Sequence, residues 1–145
     1  MAQKRDLPGF YAKRKLLFGG KASPEKLREA GEMFMAAERY DDALEFFQRC
    51  RAEEPTRKIA DLAMQAGNVP LYMRAKRVLR EQIGEEEWSQ IAAVAERAGA
   101  FAMALVAHNA AGHDEEAARL RRLVPGMETE EGQQEQPPPE GEAAE

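Results

Sequence analysis

The sequence predicts an all-α protein made of helical hairpins that stack side by side. Three observations carry that prediction. Alanine is the commonest of the 145 residues, at 26, while valine, isoleucine and threonine are scarce, which suits close-packed helices and disfavours sheets. Apolar residues recur at helical spacing between breaks marked by glycine. A short pattern, Ala37-x-x-Tyr40-x-x-Ala43, returns as Ala98-x-x-Phe101-x-x-Ala104 and, more weakly, as Ala111-x-x-Asp114-x-x-Ala117. Each copy spans a turn between two helices, with small residues where backbones approach and a larger one wedging the corner. A helix pair with one apolar face cannot bury it alone, so neighbouring pairs must stack.

The elements follow in chain order. Pro8-Gly9 and Gly19-Gly20 bracket a short helical piece containing Phe10, Tyr11, Leu16, Leu17 and Phe18. Ser23-Pro24-Glu25 is a helix start: the serine oxygen caps a free amide, proline suits the first position and glutamate meets the helix dipole. Leu27, Ala30, Phe34 and Ala37 then lie along one face. Tyr40 or Asp41 opens the next helix, with Ala43, Leu44, Phe47 and Cys50 together. Further helices are expected near 56–66, 70–82, 85–97, 101–111 and 114–123, separated at Gly67-Asn68, Gly84, Gly99 and Gly112. The last places Ala117, Leu120 and Val124 inward and Glu115, Glu116, Arg119 and Arg122 outward, the polar outer face of a terminal cap.

Residues 27–55 resemble a tetratricopeptide repeat (TPR). Leu27, Ala30-Gly31, Phe34, Ala43-x-x-x-Phe47 and Pro55 follow that repeat's large–small–aromatic–alanine–aromatic–proline order, with Cys50 at a nearby small-residue place. Later units are degenerate: Ala75-x-x-x-Leu79 is the nearest echo in the second, and Ala104-x-x-x-His108 puts histidine where an aromatic belongs. The resemblance implies a short right-handed α-solenoid of about three stacked helical hairpins plus a C-terminal capping helix. It also implies a groove lined by the first helix of each pair, where Arg28, Glu32 and Met35 would meet a peptide or a partner's helix.

Charge divides the chain into three regions. The N-terminal arm, residues 1–22, is basic; the helical-repeat domain, 23–126, is mildly acidic; residues 127–145 hold seven glutamates and no basic residue. That last segment, with Pro137-Pro138-Pro139 and no aromatic residue, is expected to be a disordered acidic tail. Two basic clusters stand out: Lys13, Arg14 and Lys15 in the arm, and Arg74, Lys76, Arg77 and Arg80 further on.

No catalytic constellation can be assembled. The single cysteine, Cys50, excludes an internal disulfide and a multi-cysteine zinc site, and reads as an inert buried thiol. His108 and His113 are five residues apart, unlike helical metal pairs, so no metal is expected and His108 reads as a packing residue. Gly19-Gly20-Lys21-Ala22-Ser23 lacks the spacing and the preceding strand of a phosphate loop. Trp88 and the scattered methionines read as packing. No cofactor is implied.

The sequence therefore points to a non-enzymatic protein–protein interaction adaptor or scaffold with a protein or peptide partner. The alternative is a nucleic-acid- or ribosome-associated accessory protein acting through the basic arm. Self-association, with arm and tail folding over the groove, is a further expectation. No apolar run approaches the roughly 20 residues of a membrane helix, and Leu16-Leu17-Phe18 is too short for a signal-peptide core. A cytoplasmic location without membrane contact is the default expectation.

Overall fold

In the computed structural model, residues 6–124 are described. The expected tail at 127–145, and Lys4 and Arg5 of the basic arm, lie outside them. The described residues form eight α-helices and no strand: α1 (Phe10–Phe18), α2 (Pro24–Ala36), α3 (Tyr40–Cys50), α4 (Glu53–Ala66), α5 (Val69–Leu79), α6 (Glu85–Arg97), α7 (Phe101–Ala111) and α8 (Asp114–Leu123). None of them is long and apolar enough to cross a membrane.

The helices pair as hairpins, α2 on α3, α4 on α5 and α6 on α7. The hairpins stack through α3 on α5, α5 on α7 and α4 on α6. α8 lies against α7 at one end of the stack, and α1 against α3 at the other. A regularity invisible in the sequence appears here. The first helices of the three hairpins have 13, 14 and 13 residues, and the second helices have 11 each.

Local chemistry explains the boundaries. Ser23 Oγ accepts from the Lys26 N–H and Asn68 Oδ1 from the Leu71 N–H, each followed by a proline early in its helix. α4 starts at Glu53, earlier than the expected residue 56, because Pro55 sits in the first turn, where amides have no intrahelical partner. α5 ends at Leu79 and not near residue 82, because Arg80 turns left-handed (φ 57°, ψ 35°).

Six helix ends share one turn. A residue at positive φ is followed by one whose N–H reaches back five residues, as in Asn68 to Ala63 O (2.9 Å) and Ala52 to Phe47 O (3.0 Å). Glycine holds the positive φ at 67, 99 and 112, whereas Glu38, Arg51 and Arg80 hold it at the other three.

The core runs continuously from α1 into α7. Its largest fully buried side chains include Phe34, Phe46, Phe47, Ile59, Val69 and Ile91. Phe34 and Phe46 stack with centroids 5.5 Å apart. Gly31 admits α3 against α2: a Cβ there would meet the Phe47 ring at 2.5 Å. A second cluster, Ala95, Ala104, Leu105, Ala117 and Leu120, joins α6, α7 and α8. Small residues dominate it, so these backbones approach closely in place of interlocking large side chains.

Candidate functional site

Arg28, Glu32 and Met35 share a face of α2, at spacings of four and three residues. Arg28 Nε pairs with Glu32 (3.1 Å), and Arg28 Nη2 reaches Glu54 of α4 at 3.9 Å. Met35 is half-buried against the core. The charges on this face thus satisfy one another across the first helices of two hairpins.

The expected basic cluster is dispersed. Lys13 turns towards α3 and pairs with Asp42 (2.5 Å) and Glu45 (3.2 Å) while Leu17 is buried beside it. Burial opposes the ammonium charge, but the two carboxylates outweigh it and raise the Lys13 pKa. Burial likewise opposes ionisation of Asp42, and Lys13 and Arg39 outweigh it to lower that pKa. Arg14 and Lys15 remain exposed on the outer side of α1, near the exposed rings of Phe10, Tyr11 and Phe18. Arg74 pairs with Asp41 at 2.7 Å, whereas Arg77 lies in the last turn of α5.

What the fold assembles instead is a set of arginines at the ends of α3 and α5. Arg49 and Arg77 occupy the last turns of these helices, and Arg51 and Arg80 are their left-handed caps. Among the described residues, none of the four has a carboxylate within ion-pair distance. Two adjoining depressions share Gln48, Arg51 and Arg80. One extends to Arg77 and Thr56, the other to Arg49, Leu17 and Phe18. The Arg49 guanidinium lies 4.6 Å from the centroid of the Phe18 ring, a cation–π contact joining α1 to this surface. Sequence reading missed Arg49 and Arg51 because nothing marks Arg51 and Arg80 as equivalent until the two helix ends are known.

Polar chains occupy two other buried places. Lys76, nearly buried, pairs with Glu87 (2.9 Å) and Glu81 (3.5 Å), and Glu87 also accepts from the Tyr72 hydroxyl (2.5 Å) and the Gly84 N–H (2.8 Å). Burial alone would raise the Glu87 pKa; Tyr72, Gly84 and Lys76 together bring it down to about 2. Burial, then Glu87, push the Tyr72 phenol well above its ordinary range.

His108 is buried, with Nε2 2.9 Å from Glu96 and Nδ1 3.2 Å from Nδ1 of His113; His113 Nε2 lies 3.4 Å from Glu85. A hydrogen bond between the two Nδ1 atoms requires one ring to carry the proton and the other to offer its lone pair. Arg119 of α8 also grips Glu96 with two contacts of 2.9 Å. Burial opposes ionisation of Glu96, and Arg119 and His108 outweigh it to lower the pKa.

No group of three or more histidine, cysteine, aspartate or glutamate residues arranged to hold a metal occurs among the described residues. Cys50 is half-buried with Sγ 3.9 Å from Phe47 O, and burial pushes its thiol up, away from the reactive thiolate.

No family model matches the chain, and no solved structure matches it.

Proposed function

We propose that this chain is a non-enzymatic adaptor, a TPR-like stack of hairpins that binds a segment of another protein. The observation that carries this reading is the alternation of 13–14-residue and 11-residue helices through three stacked hairpins. Such a stack has long outward faces, which suit recognition of an extended or helical partner.

The packing of Gly31 against Phe47 and of Phe34 on Phe46 supports the TPR comparison for the first unit. The first helices begin at Pro24, Glu53, Glu85 and Asp114, so the repeats are 29, 32 and 29 residues long, against about 34 in a tetratricopeptide unit. We take Arg28, Glu32 and Met35 as the partner-facing side of α2. The reading of the arm as a nucleic-acid binder is the weaker one, because Lys13 is spent on Asp42 and Glu45.

The test is a cross-linking pull-down with purified full chain, comparing wild type with the Arg28→Ala/Glu32→Ala double variant. Loss of a defined, nuclease-resistant partner at unchanged melting temperature is the expected result. Equal recovery by both proteins removes the α2 face from the reading, and recovery that depends on nucleic acid overturns it.

A further inference from the structure

We propose that the joined ends of α3 and α5 form a binding site for an extended acidic segment of a partner protein. Arg49, Arg51, Arg77 and Arg80 grip its carboxylates, and Phe18 supplies an apolar edge. This deepens the adaptor reading and rests on it, but it concerns a surface separate from the α2 face.

The dipole of a helix favours a cation in its last turn, and that alone accounts for Arg49 and Arg77. It does not account for Arg51 and Arg80. Both sit at positive φ, 54° and 57°, where an L side chain is disfavoured. The equivalent position at the end of α7 is Gly112, at φ 76°. The two hairpins with strained arginine caps are the ones that meet to form the shared depressions. A guanidinium is a planar fork that matches a carboxylate with two parallel hydrogen bonds. Four such forks without carboxylate partners among the described residues therefore leave a set of donors that a ligand can satisfy.

Charge selects the class of ligand. Glu45 and Glu53 each line one of the two depressions, interrupting the positive surface. Carboxylates spaced along a peptide can meet the arginines and bypass these two glutamates, whereas an unbroken row of phosphates must run against them. The exposed aromatic ring beside the arginines, Phe18, already has Arg49 against it, so it is a poor platform for stacking a base.

The experiment is fluorescence anisotropy at low salt with a labelled peptide of alternating glutamate and serine. The full chain is titrated beside a variant in which the seven glutamates of 127–145 are glutamine, which removes the carboxylates the chain itself offers. Binding in the second background, weakened at least tenfold by Arg51→Gly/Arg80→Gly, is the expected result. Glycine suits the left-handed turn, so the double variant keeps or raises its melting temperature and the loss cannot come from misfolding. Absence of binding in both backgrounds, or binding unchanged by the double variant, overturns the proposal. So does tighter binding of an oligouridylate through the same arginines, which would assign the surface to nucleic acid. Arg28 and Glu32 are intact throughout, so neither result bears on the α2 face.

Discussion

The first and third hairpins close the same corner with different chemistry. Four residues before the left-handed turn that ends each second helix stand Phe47, Lys76 and His108. Phe47 is an apolar wedge, fully buried against Gly31. His108 is a buried polar wedge held by Glu96, with Arg119 reaching over from α8. Lys76 lies between the two kinds: a long stem near the Tyr72 ring carries an ammonium to Glu87. A stacked hairpin thus needs its corner filled, but the filling can be a ring or an ion pair. The apolar corner takes its stability from burial, and the polar ones depend on every partner staying in place.

The largest effect should come from removing the ring. Phe47→Ala is expected to cost about 3–5 kcal/mol in urea or thermal unfolding, and His108→Ala only about 1–3 kcal/mol, because Arg119 still satisfies Glu96. Equal losses would erase the distinction between the corners.

Glycines next to each region sharpen it. A Cβ on Gly67 would meet the backbone of Ala95 at 2.7 and 2.8 Å, and φ there is +68°. Gly67→Ala is expected to cost about 2–4 kcal/mol, since the backbone of α6 cannot yield. Gly31→Ala presses on the Phe47 ring and recovers helix propensity, so about 1 kcal/mol is expected. A reversed order in melting temperature would show that the aromatic hairpin is the more tightly packed of the two.

Acid should loosen the middle corner. The Glu87 pKa in the fold, about 2, lies below the ordinary 4.5, so its stabilisation is complete above that ordinary value and is lost as pH falls towards 2. Its carboxylate is a third exposed, so the effect is about 1–2 kcal/mol. Glu87→Gln should flatten that part of a stability–pH curve; an unchanged slope would assign the acid sensitivity to other carboxylates. Smallest is Arg51→Gly, which should raise stability by about 0.5–1 kcal/mol, while Gly112→Ala, at φ 76°, lowers it by about 1–2 kcal/mol.

How far the sequence could be read follows the same division. The first unit was legible because Gly31, Phe34, Ala43 and Phe47 sit at spacings that only apolar packing explains. The expected echo at Ala75 and Leu79 is out of register: counted from the helix starts, the counterparts of Ala43 and Phe47 are Tyr72 and Lys76. A lysine at an aromatic corner makes sense only with Glu87, fifteen residues from Tyr72 in sequence and invisible as its partner. The short helix at residues 10–18 was bracketed correctly by its glycines, yet nothing in the arm announced that Lys13 would turn inward. Clusters of charge along a sequence do not reveal which charges the fold neutralises.

The attachment of α1 carries a final consequence. Buried Leu17, half-buried Leu16, two carboxylates on Lys13 and one ring beneath Arg49 hold these nine residues in place, a modest hold beside that of the hairpins. Its amides should therefore exchange with solvent by local opening, long before those of α3. Because Phe18 borders the arginines, anything that occupies that surface and touches the ring must slow this exchange, and a docked α1 must tighten the occupant by the same factor.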